Sequence, residues 1–373
     1  TLPLSPSAGD VVGVSDYAQT FDTNNLTLGR NGSNINGDAS DSTLTTEGLA
    51  VTLVYVDVTK GWIVTDSGLQ SDAPGPLYIA ATGGCITTCG NFKMHTFTGP
   101  NTFVVCSVGN CAGSNTVDYL VVAGGGSGAN ANAANNGQAG GGGAGGFRES
   151  SGAASGCYTA SPLGACVAAL PVSATPYAIT VGGGGAALPA NGSGNNGLPS
   201  TFSTITSAGG GGGLRCTPGV GPGGSGGGAA NTQTLGAGNT PPVSPPQGQP
   251  GGAQDPSGDN TAGGGGGATV AGSNGIYPSG PAGPGGAGAT SSINTTPTAR
   301  AGGGGGGGNN GETGGGTGGT GGGGAGGNYP LGPGTNGVVN TGGGGGASAA
   351  GPGPSGTSGG GGSGIVIIRY KYQ

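Results

Sequence analysis

Seven cysteines, one histidine and a few carboxylates are the residues of this chain with chemistry to offer. Cys85 and Cys89 are close, as are Cys106 and Cys111, while Cys157 and Cys166 bracket a short loop and Cys216 is left over. In an extracellular chain this spacing reads as three short-loop disulfides plus one free thiol. Cys85-x3-Cys89 with Cys106-x4-Cys111 could instead give four thiolates to zinc, although that spacing is looser than C-x2-C and falls on or beside strands. Fully reduced thiols are the third reading. His95 beside Cys106 or a serine could form a nucleophile pair, yet it sits in an alternating strand, Lys93–Phe97, where a structural role is expected. A glycosidase needs two placed carboxylates. Beyond residue 72 the chain has only Asp118, Glu149, Asp255, Asp259 and Glu312, scattered and mostly in polar turns. Asp255 and Asp259 come nearest to a calcium loop and supply too few oxygens. Gly-x-Gly-x-x-Gly recurs, but no strand–turn–helix unit with a later acidic partner accompanies it. No enzyme, metal or cofactor is expected.

The elements that hold these residues must be built from an unusual composition. Gly supplies 101 of the 373 residues and Pro 26, a share that usually signals disorder. Disorder normally brings high net charge and few apolar residues. Here the formal charge is −6, and the apolar residues cluster into strand patterns, so an ordered fold is expected. Residues 1–72 hold nine acids against Arg30 and Lys60, and the rest five acids against six bases. An acidic head on a neutral body argues against nucleic acid, which requires clustered Lys and Arg. No run of about 18 apolar residues exists, so membrane insertion is not expected. Thr1, with no Met or signal peptide before it, reads as a processed or trimmed start.

Residues 1–66 read as a small N-terminal all-β domain for attachment or oligomerisation, with strands at Asp10–Val14, Leu26–Arg30, Ser42–Thr46, Val51–Asp57 and Trp62–Thr65. Asn31-Gly32 is a two-residue hairpin turn by type, and Thr59-Lys60-Gly61 closes a second hairpin. Trp62 is expected to anchor a core or subunit interface. Residues 67–91 read as a linker. Residues 92–373 read as a glycine-rich domain with strands at Lys93–Phe97, Thr102–Ser107, Asp118–Ala123, Ala178–Val181, Thr201–Ser207 and Ile365–Tyr372. Glycine runs follow several of these strands. Such runs are poor helix formers, at about 1 kcal/mol per Gly, and poor sheet formers. They also lack the Gly-X-Y period of collagen. What remains is the extended threefold polyglycine II helix. With no Cβ, such helices can pack side by side and pair N–H with C=O between them. The fold class expected is therefore all-β plus a bundle of packed polyglycine II helices.

The segments between runs become loops at the ends of that bundle: 150–170 with Tyr158, 238–260, 275–280 with Tyr277, and 328–334 with Tyr329. Rigid rods carrying irregular loops suit recognition, and the three tyrosines are the candidate receptor contacts.

The stretches LTLGRNGSNINGDASD (26–41) and VTLVYVDVTKGWIV (51–64) resemble a module of structural proteins in tailed, particularly marine, bacteriophages. HTFTGPNTF (95–103), DYLVVAGGG (118–126), GGGGAGGFR (140–148), STITSAGGGGG (203–213), NTPPVSPPQGQ (239–249) and SGIVIIRY (363–370) resemble their glycine-rich fibre tip. The resemblance implies a homotrimeric virion-surface adhesin that joins other fibre or tail proteins. Its partner would be a host receptor, either a glycan or an outer-membrane protein. A purely structural capsid-decoration or filament subunit is the alternative, and an ice-binding protein a third.

Overall fold

The computed structural model describes residues 1–373 except 70–76, 111–112, 132–137, 157, 216–220, 231–233, 255–260, 277–280, 310–313, 352 and 354–355. Strands hold 27% of the residues and helix 1%, so the protein is all-β. It divides into two units, Thr1–Pro76 and Leu77–Gln373.

In the first unit, β1 (Val11–Ser15), β4 (Leu49–Asp57) and β5 (Gly61–Leu69) form an antiparallel sheet in the order β1-β4-β5, while β2 (Leu26–Leu28) pairs with β3 (Ser42–Leu44). Alternation along β4 sends Val51, Leu53 and Tyr55 inward, as the two-residue period of a strand requires. They meet Trp62, which is fully buried and lies edge-on to Tyr55 with ring centroids 5.5 Å apart. The β4–β5 turn forms where expected: Asp57 Oδ1 accepts from the N–H groups of Thr59 and Lys60 at 2.8 and 2.7 Å. Asn31 and Gly32 both adopt positive φ, and Ser33 N–H donates to Arg30 C=O at 3.1 Å. That turn lies within the longer loop between β2 and β3 and does not join two strands directly.

The second unit contains β6 (Ala80–Thr82), β7 (Cys85–Cys89), β8 (Phe92–Phe97), β9 (Asn101–Ser107), β10 (Thr116–Val122), β11 (Phe147–Glu149), β12 (Leu170–Pro171), β13 (Pro176–Thr180), β14 (Ser200–Phe202), β15 (Ile205–Ser207), β16 (Ala289–Ser291), β17 (Thr298–Arg300) and β18 (Ile365–Lys371). One sheet runs β11-β10-β18-β8-β7, with β12 also on β10; another runs β15-β14-β13-β9-β6; β16 and β17 form a hairpin. Val117, Tyr119, Val121, Val366, Ile368 and Tyr370 face Phe103, Val105, Ile179 and Phe202 of the second sheet. The alternate residues Leu120, Val122, Ile365 and Ile367 face the glycine body, where they pack on Ala144, Phe147, Ala268 and Ile293. Being buried on both faces is why β10 and β18 read as continuous apolar runs. Strands β6 and β7 fall within 67–91, so the expected linker does not extend over Ala80–Cys89. Extended strand preferences there (Ile86, Thr87, Thr88) outweigh the Gly83-Gly84 break.

The runs 124–129 and 139–146 join neither a helix nor a strand. Their backbone groups are nonetheless satisfied, in rotation. The N–H groups of 123, 126 and 129 donate to the carbonyls of 146, 143 and 140. Those of 124, 127 and 130 donate to 198, 195 and 192, and those of 125 and 128 to 362 and 359, all at 2.8–3.0 Å. The next run repeats the scheme: 140, 143 and 146 bond to 214, 211 and 208; 141 and 144 to 263 and 266; 142 and 145 to 345 and 342. Each run therefore addresses three neighbours, one every third residue. A methyl on Gly142 would strike the carbonyl of Gly126, and one on Gly344 the carbonyl of Gly142. Only glycine permits that approach.

Candidate recognition surface

The loop after β11 is tied down by two buried acids. Asp118, on β10, accepts from Ser150 Oγ (2.7 Å) and Gly152 N–H (3.1 Å) on one oxygen, and from Ser155 N–H (2.7 Å) and Oγ (2.6 Å) on the other. Glu149, on β11, accepts from Ser161 N–H at 2.8 Å and from Ser291 Oγ. Burial raises the Glu149 pKa, against the lowering effect of the Ser161 and Ser291 hydrogen bonds and the Arg300 charge; burial also lowers that of Arg300. Asp118 lies on the strand expected for it, and Glu149 lies on β11 where the sequence indicated no strand; both are buried and act as acceptors for a loop.

Tyr158 hangs from this loop, half-buried. Its hydroxyl donates to Ser150 C=O at 3.4 Å, and its ring lies 5.2 Å from the Arg369 guanidinium, which also stands 4.8 Å from the Phe92 ring. Arg369 is held by carbonyls as well, donating to Ile293 O at 3.2 Å and Gly156 O at 3.5 Å. Burial, reinforced by the charges of Asp118 and Glu149, raises the Tyr158 pKa far above that of a free phenol. The β16–β17 turn docks alongside through Ser292 N–H to Thr159 O at 3.0 Å. Between them opens a cleft of about 540 Å³ lined by Tyr158, Thr159, Ser292, Thr295, Arg369 and, from β7, Cys89. Aromatic edge, hydroxyls and one guanidinium suit a polyhydroxylated or peptide surface.

Of the other expected contacts, Tyr329 is half-buried in the turn at 328–331, where Leu331 N–H bonds Ala350 O at 3.1 Å, and Tyr277 lies outside the described residues. The described part of loop 238–260 is braced by its own side chains. Asn239 Oδ1 accepts from Val243 and Gln247 N–H at 3.1 and 3.2 Å, and Gln247 bridges Pro241 O and Ala208 N–H at 2.9 and 2.8 Å. Ser292 and Thr295 carried no motif in the sequence, Thr159 was only part of the 150–170 loop and Arg369 only part of the last strand; their convergence in space is what marks them.

His95 is fully buried on β8. Gly83 O can only accept, so Nδ1 carries the proton and donates to it at 2.7 Å, while Nε2 accepts from the Tyr370 hydroxyl at 3.0 Å. Burial lowers its pKa. The expected disulfides are corrected in part. Cys85, Cys89, Cys106 and Cys166 carry free thiols, and Cys111 and Cys157 lie outside the described residues. Cys85 and Cys89 cannot bridge each other: four residues of strand at about 3.3 Å rise set them about 13 Å apart, twice the reach of about 6.8 Å between bridged Cα atoms. Among the described residues no three His, Cys, Asp or Glu gather to hold a metal.

No curated protein matches the chain. The profile of the family described as Glycine-rich domain matches residues 101–371, the span from β9 to the last residue of β18. By that match, which covers β9 to β18 and all the glycine runs, the chain belongs to the glycine-rich domain family.

Proposed function

We propose that the protein is the tip of a virion fibre or tail fibre, displaying loops that bind a receptor on the host surface. The observation that carries this reading is the loop at 150–161. Two buried acids hold it against the sheet through Ser150, Ser155 and Ser161, and its Tyr158 and Thr159 line an open cleft. Investing buried carboxylates in the shape of a surface loop fits a loop whose shape matters. In this reading the glycine runs are polyglycine II helices. The three-residue rotation of their hydrogen bonds supports it, as does the close approach of carbonyls to Cα atoms. The first unit serves attachment to other fibre proteins or homotrimer formation at the virion surface.

Exchange of 150–170 and of 238–249 for unrelated loops is the test, read as adsorption of particles to host cells. Loss or redirection of adsorption is expected. Unchanged adsorption with both loops replaced overturns the reading and leaves a structural capsid or filament subunit.

A further inference from the structure

Strand β7 ends its sheet, with β8 on one side and no strand on the other among the described residues. All five of its residues are exposed, on both faces, and its register against β8 is unbroken. Natural edge strands are usually guarded by Lys, Pro, a bulge or a covering loop. The β7 sequence Cys85-Ile86-Thr87-Thr88-Cys89 has no charge, no proline and no bulge. Glycines with positive φ bracket it, Gly84 on one side and Gly90 on the other, so its length is fixed. The strand also reads nearly the same in both directions.

We propose that β7 pairs antiparallel with β7 of a second copy of this chain, about a twofold axis through Thr87. Cys89 pairs with Phe92 across the two-residue turn at Gly90-Asn91, which directs the Cys89 carbonyl towards β8. By alternation the backbone groups of Ile86 and Thr88 point outward. In the twofold register Ile86 of each copy exchanges both backbone hydrogen bonds with Thr88 of the other. Cys85 of each copy then stands opposite Cys89 of the other, in a pair without hydrogen bonds. Such pairs hold their Cα atoms about 4.5 Å apart, inside the disulfide range of about 4.4–6.8 Å. The thiols that cannot bridge within one chain can bridge between two. With oxidised glutathione as oxidant, a Cys85 thiolate attacks one of its sulfurs and releases a glutathione thiolate. Cys89 of the second copy, deprotonated, then displaces the other glutathione. Each S–S bond formed thus turns one glutathione disulfide into two thiols. The pairing joins copies two at a time and is separate from any threefold contact in a fibre.

The full chain, incubated with a glutathione redox series, is resolved on non-reducing gels and its cross-linked peptides are mapped. A covalent dimer carrying Cys85–Cys89 links is expected, absent from C85S/C89S. Cys85–Cys85 links, or no dimer at all, overturn the proposal. Register is tested in the C85S/C89S background: Thr87→Cys lies opposite itself and dimerises at least tenfold faster than Ile86→Cys, whose copies sit diagonally. Equal rates overturn the register. Under reducing conditions, T87K sets two like charges face to face, and sedimentation should show at least a tenfold loss of dimer; an unaltered distribution overturns the pairing.

Discussion

Replacing Gly142 by alanine tests whether the glycine body is a lattice of touching backbones. The new methyl meets the carbonyl of Gly126, with Ser127 O 2.7 Å away. Both obstacles are main chain and cannot swing aside as a side chain would. The Gly126 carbonyl also accepts from Gly345 N–H at 2.9 Å, so moving it loosens a bond to a third run. Overpacking a core costs about 1–3 kcal/mol, and rigid neighbours put this site at the upper end. The strained hydrogen bond adds about 1 kcal/mol. Alanine stiffens the unfolded chain and returns about 0.4–1 kcal/mol. The net loss is about 3 kcal/mol, or about 1 M in urea midpoint for m near 3 kcal/mol/M. Gly183 is the control. It lies in a run too, but a methyl there would meet only Leu198 Cδ1 at 4.0 Å. Gly183→Ala should be neutral or stabilising by about 0.4–1 kcal/mol. Urea unfolding of the full chain, followed by intrinsic fluorescence and circular dichroism, measures both. Equal midpoints for the two variants would refute the touching-backbone account.

Asp118→Ala should destabilise the chain by about 3 kcal/mol, since it strands the Ser150, Gly152 and Ser155 donors in a buried site; hydrogen exchange should show 150–156 opening first. His95 gives a pH signature. Its pKa is lowered by burial, so below about 6.5 the unfolded chain takes up a proton that the folded chain refuses. Stability therefore falls as pH drops from about 6.5 towards the depressed native value, and His95→Gln should flatten that slope in urea midpoints measured across pH. The loop exchanges and the Thr87 variants described above complete the set.

Strands were legible where apolar residues alternate or run together. β10 reads as an apolar run because Val117, Tyr119 and Val121 on one face and Leu120 and Val122 on the other each have their own apolar partners. The need for backbone-to-backbone packing was legible too, because a glycine run has no side chain to pack. Its neighbours were not. Gly126, Gly304 and Gly344 are chemically identical, and nothing in the sequence says that all three surround Gly142. The site was obscured for a related reason. Ser292, Thr295 and Arg369 come from segments over 70 residues apart and meet Tyr158 only after the hairpin β16–β17 docks. The cysteine spacing misled, since four residues are close along a coil but far apart along a strand.

The three-residue rotation gives the glycine body a reading frame. Adding or removing one residue inside a run turns every following amide away from its acceptor and towards the wrong neighbour. In the polyglycine II geometry proposed above, adding or removing three would shift the run by about 9 Å and return each amide to the neighbour it had before. In that geometry runs could lengthen or shorten in triplets without changing partners, and the scaffold's grammar would be indifferent to what the segments between runs contain.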